Sequence, residues 1–202
     1  FVPNQVNPDV TALYETPSAQ HLLGTDNSGR DVLNQIVQGG REIISVALVT
    51  AFLTTLIATL LGAVSALVGG KFDAVFVGIA DIVLTVPPLI VLIVISALAR
   101  PTNFFALAMV LSSLGWAGLM RQVRAQVLTL KERDYVEAAR SLDLGLTHIV
   151  FREILPNMRS YIVIHFVLAM TGAIYAQVAL IILGLVPFSG KNWALMLYFA
   201  NT

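Results

Sequence analysis

The chain has 202 residues, of which 57% are hydrophobic and 12% charged, with a net charge of zero, a mean hydropathy of +0.82 and no cysteine. A soluble domain carries about 25% charged residues, so this is membrane composition and a single water-soluble core is a poor alternative. Zero net charge gives no global electrostatic case for nucleic acid, and the missing cysteine removes disulfides, cysteine zinc sites and thiol nucleophiles.

The sequence opens on Phe1, has no basic stretch leading into a short apolar one, and stops at Thr202 just after "WALMLYFA". It therefore reads as a piece of a longer protein without a signal peptide. Residues 1–42 are polar and rich in turn formers, with Pro3, Pro8, Pro17 and "GTDNSGRD" at 24–31. They predict a non-membrane segment ending in a short helix from Asp31. Residues 43–68 carry no charge and exceed the roughly 20 apolar residues a helix needs to span a bilayer. Ala58, Gly62, Ala66 and Gly70 recur every fourth residue. That spacing suits close approach of another helix, or reflects mere richness in small residues.

After the turn "GGKFD", residues 74–99 make the second predicted span, with Asp81 and the pair Pro87–Pro88 inside it. Proline removes a backbone donor and kinks the helix. Asp81 lies on the order of 10 Å deep by the helical rise. An intramembrane carboxylate pairs with a neighbour or serves a pathway or gate. Residues 102–120 and 160–186 are the third and fourth spans, and 187–202 follow them. The expected fold is all-α: a polytopic transmembrane bundle with four spans over residues 43–186.

Lys and Arg set the orientation. Lys71, Arg121, Arg124, Lys131, Arg133, Arg140, Arg152 and Arg159 share one side, against Arg30, Arg41, Arg100 and Lys191. The loop at about 121–159 is therefore predicted to be cytoplasmic, and 1–42 and 187–202 external. Within that loop Asp134 and Glu137 have the spacing of a capping box. Tyr135, Ala138, Ala139 and Leu142 fall on one narrow helical face. A second short helix is expected from Thr147 to Leu155, before Pro156. Such a helical pair suits either docking into a partner's groove or rest on lipid headgroups.

"EAARSLDLGLTHIVFREILPN" (137–157) resembles the EAA loop of ABC importer permeases. Glu137, Ala138, Ala139, Leu155 and Pro156 match, while Asp143 stands where glycine is usual and Glu153 where isoleucine is. A glycine at 143 would end the first helix in a left-handed turn. Asp is among the next most tolerant residues of that conformation, and Gly145, two positions on, is the other candidate for the turn. "HLLGTDNSGRDVLNQIVQGGREI", "DIVLTVPPLIVLIVISAL" and "GWAGLMRQVRAQVLTLKERDYVEAA" are similar to the dipeptide, oligopeptide and nickel branch of that family, so the resemblance covers nearly the whole chain.

The resemblance implies the type I importer permease fold in a prokaryotic plasma membrane, with a further span before and after this sequence. It implies a second permease as partner in a heterodimer, two ATP-binding subunits and an extracellular solute-binding protein. ATP and magnesium would sit on the ATPase and no cofactor on this chain. Tyr135, Glu137, Ala138, Ala139, Leu142, Asp143, Gly145, Leu155 and Pro156 would form the ATPase-coupling site. Asp81, Pro87 and Pro88 are candidates for the pathway or gate. Gly24, Thr25, Asp26, Gly29, Arg30 and Asp31 are candidates for receptor contact, or else a packed turn.

The substrate implied is a peptide, then an oligosaccharide, then nickel. An ATP-independent transporter or channel is the alternative. A chain of this kind is not an enzyme. "GLVPFSGKN" at 184–192 fails as a phosphate loop in its spacing and in Asn192 after the lysine. His21, His148 and His165 are too scattered to predict a metal site.

Overall fold

The computed structural model describes residues 13–186 together with Trp193 and Met196. The stretch at 187–202 that was expected to be external otherwise lies outside these residues, as do positions 1–12. Among the described residues the regular elements are all helical, with a single isolated bridge between Thr25 and Asp31.

The first helix, α1, runs Val32–Val68 without interruption. Asp31 caps it, its side chain accepting the Asn34 N–H at 3.2 Å. At 37 residues it is about 55 Å long, well beyond the roughly 30 Å hydrocarbon core. The short helix and first span expected as separate elements are thus one helix. Nothing between Asp31 and Ile43 breaks it, because Gly39 and Gly40 cost helix stability without terminating it.

Helices α2 (Gly70–Thr85) and α3 (Pro88–Ala99) meet at 88°. Val86 is extended (φ −92°, ψ 136°), as a residue before proline prefers, and Pro88 opens α3, where its missing N–H is harmless. The expected kink is a right-angle break. With 12 residues, α3 spans only about 18 Å and cannot cross alone.

Helix α4 (Phe104–Leu130) is capped by Asn103, which accepts the Ala106 N–H at 2.8 Å. It continues ten residues past the expected end of its span. After the loop, α8 (Arg159–Ile182) returns. Helices α1, α4 and α8 are each long and apolar enough to cross a membrane, and the bent α2–α3 pair makes up the fourth segment.

Helix α1 packs chiefly along α4, then along α8. Ala58, Gly62 and Ala66 are buried, and a Cβ on Gly62 would stand 2.7 Å from the Met120 carbonyl oxygen and 3.0 Å from Val123. The small-residue row is therefore a contact surface against α4 through Ala66. Gly70 leaves the row, opening α2 at φ 58°. One apolar cluster joins Ala58, Ala63 and Ala66 to Met120, Val123 and Val127 at the loop end. A second, around Val46, Leu92, Leu107, Leu111 and Leu180, fills the opposite end.

Two chain reversals use the same turn. At the end of α8, the Gly184 N–H donates to the Ile181 carbonyl (2.9 Å) and the Leu185 N–H to the Leu180 carbonyl (3.0 Å), with Gly184 at φ 70°. Helix α5 (Asp134–Ser141) ends identically: Asp143 N–H to Arg140 (2.9 Å), Leu144 N–H to Ala139 (3.1 Å), with Asp143 at φ 55°. Both are Schellman turns. Of the two candidates for the left-handed turn, Asp143 takes it and Gly145 sits at φ −61°, ψ 162°, because the hydrogen-bond register places the reversal one residue after Leu142.

Two predictions follow from this packing. Gly62→Ala forces α1 off the Met120 carbonyl and lowers stability by about 1–3 kcal/mol. Gly78→Ala, with nothing within 4 Å of the added carbon, leaves stability unchanged or raises it by up to about 1 kcal/mol. Thermal unfolding of the detergent-purified protein checks both, and equal midpoints for Gly62→Ala and wild type would refute the close contact. Asp143→Gly relieves about 1 kcal/mol of left-handed strain, while Gly145→Ala changes nothing. Hydrogen exchange over 134–144 should slow in the first variant alone; slowing in neither removes the assigned turn.

Candidate functional site

The loop between α4 and α8 begins with α5. Arg133 holds the N-cap position without a side-chain cap, and Asp134 is already helical. The capping box expected from Asp134 and Glu137 is not formed, because the helix starts one residue early. Both acids instead occupy the first turn and Arg140 the last, the charge order that a helix dipole favours.

Helix α5 is two-faced. Val136 and Ala139 are buried, whereas Asp134, Glu137, Ala138, Ser141 and Leu142 are exposed at i, i+3, i+4, i+7 and i+8. Leu142 is 73% exposed. The face expected to hold Tyr135, Ala138, Ala139 and Leu142 together is therefore divided. Val136 pairs with Ala139 at helical spacing and turns both into the cluster with Val123 and Val127, and Tyr135 packs beside them. Ala138 and Leu142 remain outside.

The second half of the loop does not stop before Pro156. A turn of α6 (Leu146–His148) passes into a π-helical stretch, Ile149–Ile154, and then α7 (Leu155–Asn157). Pro156 lacks a donor and its ring crowds the preceding turn. A wider π turn just ahead of it is a known way to accommodate such an interruption. Ile149, Val150, Ile154 and Met158 are buried in the same cluster, with Leu155 packed against it; Phe151, Pro156 and Gly145 are exposed. Glu153, the departure from the usual isoleucine, lies 3.4 Å from His148 through Oε1 and Nε2.

Two ion pairs tie α2 to α4. Arg124 donates from Nε and Nη2 to the two carboxylate oxygens of Asp73, at 2.5 Å each. Farther along, Arg121 Nη1 lies 2.9 Å from Asp81 Oδ1. Asp73, expected in the turn "GGKFD", lies instead in the first turn of α2. The available signal for its pairing was opposite charge at the adjoining ends of two antiparallel spans.

"GTDNSGRD" is a knot of its own hydrogen bonds. The Glu15 N–H donates to Thr25 Oγ1 (2.8 Å). Asp26 Oδ1 accepts the N–H groups of Ser28 (2.8 Å) and Arg30 (2.9 Å), and its Oδ2 accepts from Gln35 Nε2 (2.8 Å). Asp31 Oδ2 lies 3.3 Å from His21 Nδ1. Gly24 and Gly29 adopt positive φ, and any side chain on Gly24 would collide with the Glu15 carbonyl oxygen. These residues hold the turn on α1. The structure brings Thr25, Asp26 and Asp31 together for that purpose and joins none of them to the loop at the other end. The His165 ring lies 4.4 Å from that of Tyr161, tilted by 51°, so the three histidines lie in three separate settings.

Residues 58–196 match the family model described as binding-protein-dependent transport system inner membrane component. A Brucella abortus biovar 1 protein provisionally named a peptide permease is 36% identical over 203 residues, covering 100% of this chain and 66% of the relative. The oligopeptide transport system permease protein OppC of Lactococcus lactis subsp. cremoris is 31% identical over 182 residues, 90% of this chain and 62% of the relative. OppC of Bacillus subtilis is 34% identical over 181 residues, 89% and 59%. The chain thus spans at most 66% of the length of these relatives. It belongs to the family of binding-protein-dependent transport system inner membrane components, the permease components of ABC importers, and is a multi-pass inner-membrane protein.

Proposed function

We propose that this chain is the membrane-spanning part of an importer that carries peptides, driven through the loop at 134–158 by a separate ATPase. The observation that carries the proposal is the two-faced loop. Its inner side, Val136, Ala139, Ile149, Val150, Ile154 and Met158, is buried with residues of α1 and α4. Its outer side presents Glu137, Ala138 and Leu142. A partner gripping the outer side would move the bundle with it. The roles within the expected coupling site then divide. Glu137, Ala138 and Leu142 make contact, and Gly145 and Pro156 are exposed as well. Tyr135, Ala139 and Leu155 anchor the loop, and Asp143 makes its turn.

ATP and magnesium belong to the partner. A second permease and an external solute-binding protein complete the assembly, and the positive side holding the loop is cytoplasmic. Peptide is preferred over oligosaccharide or nickel because the relatives are named for peptides and oligopeptides. Asp81 is proposed as a charge-balancing residue: its ion pair with Arg121 offsets the cost of a carboxylate at that depth.

Ala138→Trp or Leu142→Glu in the full-length protein should abolish co-purification of the ATPase and leave the bundle folded. Retention of the ATPase by both variants, with unfolding midpoints unchanged, would refute the outer face as the grip. For Asp81, Asp81→Asn and Arg121→Gln should each lower the amount of folded protein, and the double variant should recover it together with peptide uptake. A folded double variant that still fails to transport would show Asp81 to be a gate residue instead.

A further inference from the structure

Helix α2 buries little of itself against the bundle. Ala80 is its one buried residue, with Phe76 and Val83 partly buried beside it. Gly69 and Gly70 join it to α1 at φ 68° and 58°, and a Cβ added to either would meet nothing within 4 Å. Gly69, at φ 68° and ψ −161°, holds a conformation that only glycine takes readily. A joint without side chains or close neighbours does little to set the course of the helix that follows it. At its other end α2 turns through 88° into α3, and α3 seats Leu92 in the second cluster.

The loop-side end of α2 is held to α4 by charge. Asp73 lies in the first turn of α2, and its two carboxylate oxygens accept from Arg124 Nε and Nη2. This paired geometry fixes direction as well as distance. The side chains of Asp73 and Arg124 are 15% and 28% exposed, against 50% and 53% for Asp81 and Arg121, so the first pair is the less screened and the tighter of the two. Arg124 stands between Val123 and Val127, which are buried in one cluster with Val136 and Ala139 of the loop. One turn of α4 thus receives the loop on one face and α2 on another. We propose that Arg124 is a positioning residue that carries movement of the loop to α2 through Asp73. The proposal rests on the importer reading above and adds the element that follows the loop. With the pair intact, α2 moves with α4. Without it, α2 is free to turn on Gly69 and Gly70 while α4 slides past Ala80. The pair acts as a strap that stays closed, because parting two partly desolvated charges leaves each without its counterpart.

The test uses the full-length permease in its complete transporter, in vesicles, with trialanine as the transported probe. Residues 1–202 contain no cysteine, so Asp73→Cys with Arg124→Cys, any cysteine elsewhere in the full-length chain being replaced, gives one addressable pair. In the reduced double variant the ATPase should stay bound and hydrolyse ATP at the wild-type basal rate. Trialanine taken up per ATP should fall about tenfold. Joining the two thiols with a short bis-methanethiosulfonate should restore the ratio, and dithiothreitol should abolish the gain. Arg124→Lys, which keeps the charge and loses the fork, should give an intermediate ratio.

A wild-type ratio in the reduced double variant would overturn the strap. So would loss of the bound ATPase, which would make the pair a part of the fold alone. No recovery on cross-linking would overturn it too, since the pair would then have to part during transport. If the double variant is not recovered as folded protein, Arg124→Lys decides, and a wild-type ratio there overturns the proposal. The wild-type transporter is measured in the same vesicles. A wild type that holds no ATPase or takes up no trialanine removes the importer reading itself, whereas a working wild type with an unaffected double variant removes the strap alone.

Discussion

The close approach of α1 and α4 at Gly62 is the constraint on which the rest of the structure depends. In a bilayer, apolar side chains gain little by leaving lipid for one another, so helices associate by van der Waals contact over small residues. Ala58, Gly62 and Ala66 form that surface, and the Met120 carbonyl and Val123 side chain fill it. The contact falls in the part of α4 just before Arg124 and Val127. It thereby fixes where Arg124 meets Asp73 and where Val127 receives α5. Shift α1 by the width of one methyl group and both the ion pair and the seat of the loop move.

The loop converts that fixed seat into a lever. A connector that only spanned the gap between α4 and α8 would satisfy its backbone with water and leave few apolar groups buried. This one buries six residues with the bundle and closes α5 with a turn whose C-terminal leucine, Leu144, packs back on the same cluster. Rigidity on one side is what gives force on the other side a direction. The π-helical stretch serves the same end: it lets the chain pass Pro156 without losing the buried row Ile149, Val150, Ile154 and Met158.

The sequence was most readable where a single property dominates. Uncharged length located α1, α4 and α8, and the paired prolines located the break in the second span. It was least readable where two signals compete. Arg121 and Arg124 resemble the end of a span by hydropathy, yet α4 continues to Leu130 because Arg, Gln, Ala, Val and Leu carry no helix-stop signal and each arginine finds a carboxylate on α2. Ala139 reads as surface on a helical wheel centred on the two alanines. It is core because Val136, the bulkier residue, sets which side turns inward. Asp143 took the left-handed position over Gly145 because hydrogen-bond register outweighs residue preference when the penalty is about 1 kcal/mol. The Asp73–Arg124 pair could not be read locally at all, since its members are 51 positions apart.

The right-angle break between α2 and α3 is inexpensive for a chemical reason. Ending a helix inside a membrane frees backbone donors and acceptors, and each unpaired group costs several kcal/mol there. Here the two residues at the corner are Pro87 and Pro88, which have no donor to free. Near the end of α2 the Thr85 hydroxyl is paired within the helix, donating to the Asp81 carbonyl at 2.7 Å. On the far side the Pro87 carbonyl accepts the N–H groups of Ile90 (3.1 Å) and Val91 (3.4 Å). The Pro87 carbonyl is therefore satisfied within α3 itself. With α2 held to α4 at Asp73 and Asp81, the extended Val86 and the fixed φ of the prolines set the direction in which α3 leaves the corner, and its packing against α4 and α8 holds it there. That explains how a helix of only 12 residues keeps a defined course, contributing Leu92 to the second cluster.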